Sequence, residues 1–362
     1  MMFVRVVAAV CALLLLITPS QAAAAPDPLR EAVQRDTTAL VATGVIGAQY
    51  RVTRGGESFP VGAGTTRRGG NQPVPLDGRF RIGSITKTFV ATTTLQLAGE
   101  GRLDLDDPVS RHLPGLLPYP EVITVRNLLQ HTSGLWDHIT LIGESPQLFM
   151  DRRFDHRAPL DAVRAATQRP LEHPPGAKFA YSNTGYEVLA LLIEKTTGRP
   201  WTEEIRRRIL QPLRLSNTRM PSDHPFLDGP HAHGYLRVDG RIHDVTTHNP
   251  TVWGAGGGMT STTADLDRFF TALLGGRLLA PAQQTELTRT TPVSEGWGLG
   301  LRSLDFPCGI KVWGHTGGLF GYLSLAFSTA DGSRRVIGSV TTVDTEADGE
   351  AYLKVVLTAM CG

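Results

Sequence analysis

Two tracts of this chain alternate between apolar and polar residues, and the sequence between them does not. Residues 46–66, "IGAQYRVTRGGESFPVGAGTT", alternate on either side of Gly55-Gly56. Residues 296–304 ("GWGLGLRSL"), 310–318 ("IKVWGHTGG") and 322–343 do the same, and Asp331-Gly332 punctuates the last of these. Period-two alternation puts apolar side chains on one face of a strand, and the paired turn residues mark hairpins. In between, the apolar spacing is helical. One helix runs from Ile85 until Gly99 and Gly101 stop it, another is "TGYEVLALLIEKTTG", and "WTEEIRRRILQPL" and "TADLDRFFTALLGG" follow. Amphipathic helices also open and close the chain, as "PLREAVQRDTTALVATG" and "EAYLKVVLTAM".

Strands at both ends with helices between them predict an α/β (α+β) fold. Both chain ends build one antiparallel sheet, flanked by the N- and C-terminal helices, and an all-helical lobe is inserted. The sheet part is expected over about 26–83 and 290–362 and the helical lobe over about 84–289, together one domain. A ligand site is expected in the cleft between them.

The first 25 residues break the pattern. One Arg precedes an apolar run from Val6 to Ile17, and small residues follow at Ala22 to Ala25. This reads as a Sec-type signal peptide cleaved near Ala25, giving a secreted protein with no membrane span after cleavage. Cys308 and Cys361 then remain as an even pair in an oxidising compartment. They read as a disulfide, contributing ~4 kcal/mol on a chain-entropy account. Two free buried thiols are the alternative. A net charge of +2 gives no electrostatic case for nucleic acid or an acidic membrane.

Candidate chemistry starts at "RIGSITKTF". Arginine carries most of the positive charge, yet Lys87 stands one helical turn after Ser84. Residues three apart share a helix face, so Lys87 can reach the Ser84 hydroxyl. Burial and the positive helix end lower a lysine pKa toward that of a base able to activate serine. Alone, the pair also reads as an N-cap serine followed by a solvated lysine. Two further elements join it. Tyr181 and Asn183 in "YSN" offer a phenol for proton transfer and an amide for a substrate carbonyl. His315, Thr316 and Gly317 lie on a predicted strand whose glycine lets a substrate run along the edge. A core tyrosine, a turn asparagine and an exposed strand histidine are their plain structural readings.

The order S-x-x-K, Y-x-N, H-T-G resembles the penicillin-recognising serine hydrolases, in the branch of class C β-lactamases and D-alanyl-D-alanine carboxypeptidases. "GRLDLDDPVSRHLPGLLP", "ITVRNLLQHTSGL" and "GLGLR" agree, and the cysteine pair is similar to that of secreted actinomycete-type carboxypeptidases. The resemblance implies an acyl-enzyme on Ser84, assisted by Lys87 and Tyr181. It implies a substrate amide carbonyl held by Asn183 and an oxyanion hole from the backbone N–H groups of Ser84 and Gly318. Thr316 and Arg302 would face a substrate carboxylate, and Trp253 would line the cleft. One position departs: Gly318 stands where these carboxypeptidases carry a threonine, as in esterase-like members.

Other readings are weaker. No G-x-S-x-G is present, and His131 reads as structural. The histidines at 224, 231, 233, 243 and 248 lack zinc spacing, and "WGAGGGMTST" lacks a P-loop lysine. No metal or cofactor is therefore expected. The sequence points to an exported, monomeric, penicillin-binding D-alanyl-D-alanine carboxypeptidase acting on peptidoglycan stem peptides. A class C-like β-lactamase, an esterase or D-aminopeptidase, and a non-catalytic peptidoglycan or β-lactam binder are the rivals.

Overall fold

The computed structural model describes residues 27–143, 145–344 and 347–362. The predicted signal peptide lies outside the described residues. Ten strands are numbered in chain order: β1 Gly47–Arg54, β2 Glu57–Gly64, β3 Phe80–Arg81, β4 Tyr235–Val238, β5 Arg241–Asp244, β6 Thr260–Ser261, β7 Arg302–Asp305, β8 Lys311–Leu319, β9 Tyr322–Thr329 and β10 Arg334–Thr341. Six of them form one antiparallel sheet in the order β2-β1-β10-β9-β8-β7, so the two ends of the chain meet at β1 and β10.

Strand alternation separates two cores. Tyr50 and Val52 of β1, Leu325 and Phe327 of β9 and Val336 of β10 pack under the terminal helices Pro28–Ala42 and Gly349–Cys361. Ala326 and Ile337, one residue out of phase, join the larger core on the opposite face. A disulfide between Cys308 and Cys361, Cα atoms 5.8 Å apart, ties the β7–β8 turn to the last helix.

The helix Thr86–Gly99 is buried on nearly every side, which is why its sequence has no polar stripe. Two of its buried threonines find carbonyl partners: the Thr92 hydroxyl donates to the Thr88 carbonyl (2.7 Å) and that of Thr88 to the Gly300 carbonyl (2.8 Å).

Two details differ from the sequence expectation. The inserted region is helical except for the hairpin β4–β5 and the two-residue pairing of β3 with β6. Of residues 296–304, strand pairing in the sheet begins only at Arg302. Before it the backbone closes on the helix Thr86–Gly99, and a Cβ at Gly300 would sit 2.3 Å from that of Ala91.

Candidate active site

Ser84 lies in a single 3-10 turn, Gly83–Ile85, that feeds the buried helix. Arg81, just before it, is fully buried and donates to the carbonyls of Thr246 (2.7 Å), Pro225 (2.9 Å) and His248 (3.2 Å), which anchors the turn to the inserted lobe. Gly83 has φ +52°, and a Cβ there would come within 2.9 Å of Gly318 N. Only glycine accepts both conditions cheaply, so the turn presses directly on the backbone of β8. The Ser324 hydroxyl, donating to Ile82 O at 2.9 Å, holds the two together.

Lys87 is completely buried. Its Nζ donates to Ser84 Oγ at 3.1 Å, to Asn183 Oδ1 at 2.6 Å and to Gly256 O at 2.6 Å. The two short partners are fixed acceptors: one is a carbonyl, and the other is oriented because Asn183 Nδ2 donates to Asp137 Oδ2 at 2.8 Å. A neutral amine has two N–H bonds and one lone pair. With its N–H bonds on Asn183 and Gly256, the lone pair of neutral Lys87 falls to the Ser84 hydroxyl. Burial lowers the Lys87 pKa to about 7, and the negative charges of Asp137 and Glu187 oppose that fall.

Tyr181 stands beside the serine. Burial raises its phenol pKa above the ordinary value, a hydrogen bond with Ser84 pulls it back, and Asp137 raises it further. The phenol is therefore a proton donor at neutral pH. Its ring is stacked on His131, centroids 4.1 Å apart, and Lys87 Nζ sits 4.8 Å from its centroid. His131 accepts the Ser182 N–H on Nδ1 (3.2 Å), and burial keeps it neutral. It shapes the Tyr181 loop, in keeping with a structural role.

The H-T-G strand contributes in two ways. His315 faces inward, 3% exposed and packed edge-on to Trp297 at 5.0 Å. It bonds to the Thr316 carbonyl through Nδ1, and burial lowers its pKa to about 3, with Lys87 adding to the fall. It is a neutral imidazole rather than the exposed strand residue of the plain reading. Gly317 faces the same way, against Ile82 and Ser324. Thr316 and Gly318 are exposed on the other face. Arg302 shares that face, since it pairs with Gly314, two residues before Thr316. Among the described residues the guanidinium of Arg302 has no ion pair.

Trp253 differs from its expected place. It is 6% exposed, and its indole N–H donates to His248 Nε2 at 2.9 Å. A buried indole needs such a partner. The ring is packed with Phe149 and Phe320. Two carboxylates went unnoticed in the sequence. Asp137 orients Asn183, accepting from its backbone N–H as well (3.2 Å). Glu187, one turn after Asn183 on the helix Asn183–Thr197, accepts the Gly256 N–H at 3.2 Å. The signal for Glu187 was a lone acid on an otherwise apolar helix face; Asp137 gave none.

The sequence profile of the beta-lactamase family matches residues 31–354. The chain is similar to penicillin-binding protein 4 of Amycolatopsis lactamdurans, 29% identical over 304 residues covering 77% of each chain. It is similar in structure to a D-stereospecific amidohydrolase from a Streptomyces species, with TM-score 0.85 and 38% identity over 93% of this chain and 99% of that one. A D-amino acid amidase from Ochrobactrum anthropi SV3, solved with L-phenylalanine amide, superposes with TM-score 0.79 and 27% identity over 92% and 98%. With its profile matched over nearly the whole described length, the chain belongs to the beta-lactamase family and is a serine hydrolase of the penicillin-binding fold.

Proposed function

We propose that the protein cleaves the amide bond on the carbonyl side of a D-configured residue through an acyl-enzyme on Ser84. The observation that carries this reading is the bonding of Lys87, whose two fixed acceptors leave its lone pair for the Ser84 hydroxyl. Lys87 takes the Ser84 proton as Oγ bonds to the substrate carbonyl carbon. The oxyanion forms against the N–H groups of Ser84 and Gly318. Tyr181 passes a proton to the departing amine, whose C–N bond breaks. Water then splits the ester: Tyr181 takes its proton as the acyl–Oγ bond breaks, and Lys87 returns a proton to Ser84. Asn183 keeps one N–H of Nδ2 for the amide carbonyl of the acyl donor.

The D-configuration rests on the likeness to the Streptomyces amidohydrolase and the Ochrobactrum amidase. A second reading, an exported D-alanyl-D-alanine carboxypeptidase on peptidoglycan stem peptides, is favoured by Arg302 and Thr316 on one face of the strand edge. The Cys308–Cys361 bond supports export.

The test offers the mature protein and Ser84→Ala four acyl donors: D-phenylalanine amide, its L isomer, a D-alanyl-D-alanine peptide and a fluorescent penicillin. Turnover of D-phenylalanine amide over the L isomer, lost in Ser84→Ala, is the expected result. Preference for the dipeptide with a long-lived penicillin label supports the carboxypeptidase, and rapid penicillin loss supports a β-lactamase. A stable label with no turnover of any amide would leave a binding protein and sink the proposal.

A further inference from the structure

We infer that Glu187 is a positioning residue of this hydrolase: it holds the glycine turn to which Lys87 is bonded, and its charge sets the pH at which Lys87 acts as base. The inference rests on the acyl-enzyme reading above and adds a residue to it.

The geometry runs through a single residue. Gly256 receives Lys87 Nζ on its carbonyl (2.6 Å) and gives its N–H to Glu187 Oε1 (3.2 Å). The carboxylate therefore fixes the peptide that fixes the amine. The turn Gly254–Gly257 is moulded around this arrangement. Gly254 has φ +45°, and a Cβ on it would lie 2.3 Å from Glu187 Oε1 and 2.7 Å from Oε2. A Cβ on Gly256 would lie 2.8 Å from Asn183 Oδ1. The glycine-rich stretch that suggests cleft lining or a nucleotide loop in the sequence is a mould for two side chains of one helix.

The surroundings make the charge matter. Glu187 is 2% exposed, and the groups facing it are Lys87, Arg157 and the N–H groups of Gly256 and Ala255. Facing Lys87 are Glu187 and Asp137, the phenols of Tyr181 and Tyr186, and the neutral imidazoles of His131, His138 and His315. Burial raises the Glu187 pKa to about 7, while those N–H bonds and Lys87 pull it down. Carboxyl and amine thus titrate together near neutral pH, and the observed steps belong to the pair.

Glu187→Gln keeps an oxygen for the Gly256 N–H and removes the charge. Without that charge the Lys87 ammonium loses an attractive partner, so its pKa falls. The acid limb of kcat/KM is expected to move about one unit toward lower pH. Glu187→Leu loses the acceptor as well, and kcat is expected to fall about 100-fold, the scale of a misplaced base, with KM changed far less. A direct readout avoids turnover. Lys87 is buried, whereas Lys178, Lys195, Lys311 and Lys354 are exposed, so NMR titration of labelled lysine side chains isolates its signal. A Lys87 titration that is the same in wild type and Glu187→Gln overturns the inference, whatever the activities. If the wild type turns over no acyl donor while the titration shifts, the substrate reading fails and the role of Glu187 stands.

Discussion

Gly318 is the position where the sequence departs from the carboxypeptidase pattern, and it is open to restoration. A Cβ built on it meets nothing nearer than Leu323 Cδ2, at 4.0 Å. The contrast with its neighbour is sharp, since a Cβ on Gly317 would lie 2.1 Å from Ile82 O and 2.4 Å from Ser324 Oγ. Strand alternation puts a residue at 318 on the face of Thr316 and, through Gly314, of Arg302. Gly318→Thr therefore adds a second hydroxyl where a substrate carboxylate would lie, without displacing the backbone N–H proposed for the oxyanion. A hydrogen bond to a charged group is worth about 1.5–3 kcal/mol. At about 1.4 kcal/mol per decade, that corresponds to roughly 10- to 150-fold.

The assay is a ratio. The kcat/KM for a D-alanyl-D-alanine peptide is divided by that for the same peptide with a C-terminal carboxamide, in wild type and variant. Any general effect of the new side chain on acylation cancels. The ratio should rise by one to two decades in Gly318→Thr. Arg302→Ala should lower it in both backgrounds, and by more where the threonine is present, if hydroxyl and guanidinium hold one carboxylate. A ratio that stays within about threefold, with both substrates still turned over, would mean that the carboxylate does not land on this face, and the carboxypeptidase reading would fall with it.

Other outcomes follow from the same geometry. Gly317→Ala should push β8 away from the nucleophile turn and cost about 100-fold or more in kcat, with penicillin labelling of Ser84 slowed in parallel. Cys308→Ser opens a loop with a sequence separation of 53 residues, so urea unfolding should report a loss of ~4 kcal/mol. Because the Lys87 pKa lies at about 7, wild-type kcat/KM should climb with pH and level off above about 7; a flat profile between pH 5 and 8 would exclude Lys87 as the base. Arg302 is exposed and His315 neutral, so any preference for carboxylate substrates should fade between 0.05 and 0.5 M salt, as screening lengths of ~10 Å at 0.1 M shorten.

Much of this arrangement was legible because it is local. Alternation located β1, β2, β9 and β10, the Asp331-Gly332 turn joins the last two, and the burial of Lys87 followed from its place in an apolar helix. What escaped notice depends on contacts between distant residues. Asp137 meets Asn183 across 46 positions and Glu187 meets Gly256 across 69. No periodicity encodes such pairs. At the glycines of 254–258 the sequence does not say which side chain fills the space that a glycine leaves. His315, whose plain structural alternative is an exposed strand histidine, is covered by Trp297, which arrives from a loop whose alternation resembles a strand. The resemblance puts Trp253 in the cleft wall, and nothing in the spacing of the histidines marks His248 as its indole partner.

The charges around Ser84 divide into two layers, and this division bears on substrate choice. Inside, Lys87 is the one lysine, set against the carboxylates of Asp137 and Glu187, while His131, His138 and His315 are held neutral by burial. Apart from Arg157, which faces Glu187, that inner layer has no fixed positive charge to offer a substrate carboxylate, because Lys87 must lose its proton to act as base. The only candidate for that task among the described residues on this edge is Arg302, in the outer layer. On the proposed reading, base generation falls to Lys87 and carboxylate recognition to Arg302, on opposite faces of β8. A family member built this way can lose recognition of a C-terminal carboxylate, as the missing hydroxyl at Gly318 suggests, and keep its acyl-transfer chemistry whole.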